Sequence, residues 1–137
     1  VLRDIGKIKI PNEILLKKTV LAYDEWMMLK SHAYIGANIL KAWNAFPEIA
    51  EVIAAHHECY DGDGYPMGIE GEKIPFLSRI LKVLDVYCAM TSPRTYRSGV
   101  ATKEESINYL REERGKHFDP KVIDAFLQLN IEEIEKE

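Results

Sequence analysis

A chain of 137 residues, 47% of them hydrophobic, holds material for one ordinary core and not for two. Its formal net charge of -4, with acids and bases mixed along the chain, offers no basic stripe for a nucleic acid polymer and no like-charge run that marks a disordered tail. No apolar run reaches the roughly 20 residues of a membrane span, so no membrane contact is expected of this segment, and the opening VLRDIGKIKIP lacks the parts of a signal peptide. Two cysteines, Cys59 and Cys88, without CxxC spacing, read as reduced thiols of a cytoplasmic protein, whether alone or within a larger sensor.

A short helix is expected around Asn12 to Lys18. From Asp24, the expected N-cap, helical periodicity sets Trp26, Leu29, Ala33, Gly36, Leu40 and Trp43 on one face. A helix from Pro47 to about Glu58 turns Ile49, Val52, Ile53, His56 and His57 the same way. The glycine-rich DGDGYPMGIEGEKIP that follows is a loop. Phe76 to Thr91 reads as a long helix burying Leu77, Ile80, Leu81, Leu84 and Cys88, stopped by Ser92-Pro93 because the residue before proline avoids helical geometry. Thr102 with Glu105 forms a capping box that opens a helix to about Arg114, ended by Gly115. Asp119-Pro120 supplies a cap and a first-turn proline for a last helix ending near Leu129. Strand signals are nearly absent, so the fold class is all-α.

Asp85 lies on the expected apolar stripe of its helix, among Leu77, Leu81, Leu84 and Cys88. An ionised carboxylate there, left unpaired, costs several kcal/mol, so it needs a cation, a metal or hydrogen-bond donors. By itself it reads as half of a salt bridge to a core-edge Lys or Arg. His32 faces inward among Met28, Ile35, Gly36 and Ile39, and Gly36 one turn on leaves room for a ligand. His56 and His57, three and four residues after Ile53, lean toward the core from a helix end. Each histidine alone reads as an ordinary core or solvated residue. Together with Asp4 and Asp85 they make a mixed nitrogen and oxygen set suited to iron, manganese or another divalent metal.

The order of these residues is more specific than any of them: Asp4-Ile-Gly-Lys7, His32, HHECYDGDGYP from His56 to Pro66, Asp85, SPRTYR from Ser92 to Arg97, and GKHFDP from Gly115 to Pro120. Across practically its whole length the chain resembles the HD-GYP subgroup of the HD phosphohydrolase superfamily. The resemblance implies an HD-type bundle of about five to six helices around a two- or three-metal centre, often iron, that hydrolyses cyclic di-GMP to pGpG or GMP in bacterial signalling. It implies Asp4 as bridging carboxylate, His32, His56 and His57 as ligands of one metal, and Asp85 as a ligand of the other. Lys7 then assists at the phosphate. Gly64-Tyr65-Pro66 matches the tripeptide that names the subgroup, in a loop beside the ligand that also meets partners. Arg94 and Arg97 match basic residues near the phosphates, where a guanidinium forms paired hydrogen bonds. Outside the resemblance, Arg94 and Arg97 read as a solvated turn, Tyr65 as a packing residue, Glu58 as a surface acid and His117 as structural.

The chain departs from the pattern at one position and at its start. The family motif begins His-Asp, but residue 3 is arginine, which carries no lone pair and cannot replace an imidazole as a ligand. The expectation is that the Arg3 guanidinium takes the place of the missing cation, pairing with Asp85 or Asp4, so that the site binds one ion or none. Helices that precede the motif in the family are absent from residues 1–137, which predicts exposed apolar surface and a homodimer or domain exchange. Two functions follow. One is a metal-dependent cyclic di-GMP phosphodiesterase, impaired by Arg3. The other is an inactive regulatory module binding cyclic di-GMP or a GGDEF-type cyclase partner.

Overall fold

The computed structural model describes residues 2–44, 47–92 and 100–129, and among them it has helices and turns but no strand. A 3-10 helix, Leu2–Lys9, precedes α1 Asn12–Leu15, α2 Tyr23–Lys30, α3 His32–Trp43 and α4 Pro47–Ala54. A loop with a 3-10 turn at Gly71–Lys73 then leads to α5 Phe76–Thr91, α6 Lys103–Glu112 and α7 Pro120–Gln128. The all-α expectation holds, and the predicted bounds of α5 match.

Local capping chemistry explains the later helix starts. The Thr102 hydroxyl accepts from the Glu105 N–H at 3.1 Å while the Glu105 carboxylate accepts from the Thr102 N–H at 2.7 Å, satisfying two N–H groups that the helix cannot. Asp119 Oδ1 accepts from the Lys121 N–H at 2.8 Å, with Pro120 in the first turn of α7.

Four expectations are corrected. The continuous helix from Asp24 is two helices divided at Ser31, whose hydroxyl turns back to the Met28 carbonyl at 2.6 Å. Its start is two residues earlier, with Ala22 rather than Asp24 as the N-cap, Asp24 in the first turn of α2 and Glu25 accepting from the Ala22 N–H at 2.7 Å. α4 stops at Ala54, so His56, His57 and Glu58 stand in the turn beyond it. On α5 the buried residues are Ser78, Val83 and Tyr87, whereas Leu77, Leu84 and Cys88 are exposed. The apolar arc of α5 is wider than any one partner can cover, so periodicity alone could not select the part of it that α6 and α7 bury.

Two packed centres result. Val83 and Tyr87 of α5 meet Leu110 of α6, Phe118, and Val122, Ile123 and Phe126 of α7. Ala37 and Leu40 of α3 meet Ala50 and Ile53 of α4. α5 also reaches the second unit, because the Ser78 hydroxyl donates to the Val52 carbonyl at 2.9 Å.

The N-terminal 3-10 helix lies directly on α3, and glycine permits the approach. A Cβ on Gly6 would stand 1.9 Å from the His32 carbonyl oxygen and 2.6 Å from the Gly36 nitrogen. The space that Gly36 was expected to leave for a ligand is filled instead by Gly6 and Ile5, each within 3.3 Å of where its Cβ would be. Gly6→Ala is expected to push residues 2–9 off α3 and destabilise the fold by about 1–3 kcal/mol, read by urea unfolding. An unchanged midpoint would mean that the contact is not made in solution.

Candidate metal centre

The close approach at Gly6 brings Asp4 to the start of α3, where His32 is buried as the first residue. His56 and His57 come from the turn after α4, which packs on α3. The three imidazoles converge, and one nitrogen from each lies within 4.8 Å of the others. His32 Nε2 and His57 Nε2 are 3.1 Å apart.

Backbone carbonyls orient two of the three rings. His32 Nδ1 lies 2.6 Å from the Leu29 oxygen, and His56 Nδ1 lies 2.6 Å from the Ile53 oxygen. A carbonyl can only accept, so each Nδ1 carries the proton and each Nε2 presents a lone pair, the arrangement that outer-shell partners impose on metal-binding imidazoles. His56 Nε2 is buried with no hydrogen-bond partner. Burial, followed by the neighbouring imidazoles and Lys82, pushes His57 down to about 2, and burial lowers His56 as well. The lowered pKa values of His56 and His57, the tautomers fixed at His32 and His56 and an orphaned buried nitrogen fit a divalent ion.

The carboxylates stand differently. Asp4 Oδ1 is 3.9 Å from His32 Nε2 and 2.7 Å from the Lys7 ammonium. Burial raises its pKa, but the Lys7 hydrogen bond and the charges of Lys7 and Arg3 outweigh it and hold the carboxyl below its usual value. Asp85 lies outside the convergent trio: its Oδ1 is 2.5 Å from Arg3 Nη2, and Arg3 Nε is 3.6 Å from Asp4 Oδ2. The guanidinium thus lies between the two acids, where pairing with Asp85 or Asp4 was expected. Asp85 is the partner of an arginine, not an enclosed core acid. Arg94 and Arg97 fall outside the described residues.

Tyr65 stacks on His57, with centroids 4.7 Å apart and planes 21° from parallel. Its loop lies flat on the chain beneath: a Cβ on Gly64 would stand 2.2 Å from the Cys59 nitrogen. Glu58, expected on the surface, is 2% exposed, and its Oε1 accepts from the Met67 N–H at 2.7 Å, pinning the far side of the loop. Lys82 donates to the His57 carbonyl at 3.1 Å and meets Cys59 Sγ at 3.2 Å, tying the same turn to α5. Sequence reasoning missed both roles, since neither residue lies on a periodic pattern, and only the place of Glu58 beside His57 hinted at one. The GKHFDP segment braces the loop through its backbone, with the Tyr60 and Asp61 N–H groups donating to His117 and Lys116 carbonyls. The His117 ring meets Glu113 and Tyr109, in keeping with a structural role.

Comparison with known proteins extends this picture. A family model described as HD domain matches residues 1–122. The cyclic di-GMP phosphodiesterase response regulator RpfG of Xanthomonas campestris pv. campestris is 43% identical over 129 residues, covering 93% of this chain and 34% of that protein. A cyclic di-GMP phosphodiesterase of Thermotoga maritima is 40% identical over 134 residues, 96% of this chain and 36% of its own length. The 3'3'-cGAMP-specific phosphodiesterase 2 of Vibrio cholerae is 36% identical over 129 residues, covering 93% of this chain and 24% of that protein. The chain spans about a third or less of these curated relatives. A solved cyclic GMP-AMP specific phosphodiesterase of V. cholerae shares the fold, with a TM-score of 0.64 at 19% identity over 93% of this chain and 35% of that one. A family model matching nearly the whole chain and relatives of this kind over almost all of it lead to one assignment: the chain belongs to the HD domain family, as an HD-GYP domain.

Proposed function

We propose that this chain is a metal-dependent phosphodiesterase domain acting on cyclic di-GMP. The convergence of His32, His56 and His57 carries the reading, and the names of relatives at 40 and 43% identity support the substrate. His32, His56 and His57, with Asp4, would hold one divalent ion, iron or manganese. When bound, the ion supplies the Lewis acidity and the nucleophilic water that attack on an anionic phosphodiester needs near neutral pH. Lys7 keeps Asp4 ionised and offers a positive charge to an incoming phosphate, and Arg94 and Arg97 are the further phosphate partners. Tyr65 lines the approach. The free thiols Cys59 and Cys88 suit a reducing cytoplasm, and no helix among the described residues is long and apolar enough to cross a membrane.

One observation favours a second reading. With the Arg3 guanidinium on both Asp85 and Asp4, a second cation would have to displace a charge already paired. On that reading the domain is a regulatory module that binds cyclic di-GMP, or a GGDEF-type cyclase through the Tyr65 loop, with a homodimer covering the exposed Leu77 and Leu84.

Hydrolysis of cyclic di-GMP by the chain reconstituted anaerobically with iron or manganese separates the two, run beside Arg3→His with metal counted in each. The expected result is one ion and slow turnover for the parent, and two ions with a faster rate for the variant. Two tightly held ions in the parent would sink the account of Arg3. No turnover by either protein would leave the regulatory reading.

A further inference from the structure

α2 buries none of its residues, and it carries Trp26 and Lys30 one turn apart. The Lys30 ammonium lies 5.5 Å from the centroid of the Trp26 ring and 5.0 Å from that of Tyr65, so one cation spans two aromatic faces. Tyr65 in turn stacks on His57. A continuous wall therefore runs from the histidine trio outward: imidazole, phenol, ammonium, indole. Its inner end is half-buried, whereas Trp26 at the outer end is 43% exposed and belongs to neither packed centre. Within this wall the indole keeps an open edge beside a cation that lies over the phenol already touching the trio.

We propose that Trp26 and Lys30, beside Tyr65, form the subsite for a nucleobase of the substrate, the indole stacking on a purine while the ammonium meets the adjoining phosphate. This rests on the phosphodiesterase reading and adds two residues to it. Every base has a π face, and an aromatic side chain next to a cation is the usual means of holding one without reading its edge. The wall also explains why the loop is pinned so firmly by Glu58 and Gly64: Tyr65 must keep its place between His57 and Lys30 for base and phosphate to be held in register.

The chain has two tryptophans, and Trp43 ends α3, at the opposite end from His32. In Trp43→Phe the emission reports Trp26 alone. Cyclic di-GMP is expected to quench it, whereas inorganic phosphate is not. Trp26→Ala, checked for folding by circular dichroism, should weaken cyclic di-GMP binding by roughly 10-fold in calorimetry and raise KM by a similar factor, with kcat changed far less. Calorimetric binding of cyclic di-GMP with no change in Trp26 emission, or with unaltered affinity in Trp26→Ala, overturns the subsite and leaves the phosphodiesterase reading standing. No binding of cyclic di-GMP to the parent chain at all overturns both.

Discussion

Replacing His56 with alanine is expected to weaken divalent-metal binding at least about 100-fold and to remove cyclic di-GMP hydrolysis with it. Loss of even an outer-shell partner of a metal-binding histidine costs roughly 10- to 100-fold, and His56 would be a ligand itself. Its Nε2 is buried and unpaired, its Nδ1 is committed to the Ile53 carbonyl, and it is 1% exposed, so water cannot take its place without opening the turn. His57→Ala should behave alike, since its ring lies 3.9 Å from that of His56. Competition with a chromogenic chelator measures the affinity, and metal retained at parental affinity in His56→Ala would remove the trio as the centre.

The largest effect on stability is expected far from those histidines, at Asp119. Its carboxylate is fully buried, with Oδ2 2.5 Å from Arg79 Nη1 and Oδ1 on the first turn of α7. Asp119→Ala leaves the guanidinium of Arg79, 11% exposed, without its anion, and removes the cap as well. Breaking a buried pair in this way costs about 3–5 kcal/mol, a large share of the 5–15 kcal/mol that typically holds a domain together. Arg79 Nε already has no partner, so little remains to compensate. Replacing both residues by leucine should recover much of the loss, because the pair's desolvation cost goes with it. Urea unfolding of the three proteins tests this, and a double variant no more stable than Asp119→Ala would show that the pair contributes net stability.

Much of the fold was legible where the cause is local. Thr102 with Glu105, and Asp119 with Pro120, place two helix starts because the groups that satisfy each terminal N–H lie within three residues of it. Three candidate metal ligands, His32, His56 and His57, were legible in the same way, as residue types and their order, and Arg3 could be assigned to the acids because a permanent cation must find an anion. Ser31 was harder to see, since a serine interrupts a helix only when its hydroxyl turns back to a carbonyl.

What the tertiary structure alone decided are the choices between chemically equal faces. α5 offers a broad apolar arc, and the packing of α6 and α7 buried Val83 and Tyr87 while leaving Leu77 and Leu84 exposed. Gly6 and Gly36, 30 positions apart in sequence, had to meet before Asp4 could stand beside His32. Glu58 became a buried clasp on the Tyr65 loop because that loop folds back over it. The amino-acid sequence determined which groups could bind a metal and which helices could start where, because those depend on a residue and its near neighbours. Which face turned inward, and which side chains share one site, depended on close packing between distant segments, where a single Cβ at Gly6 is enough to forbid the contact.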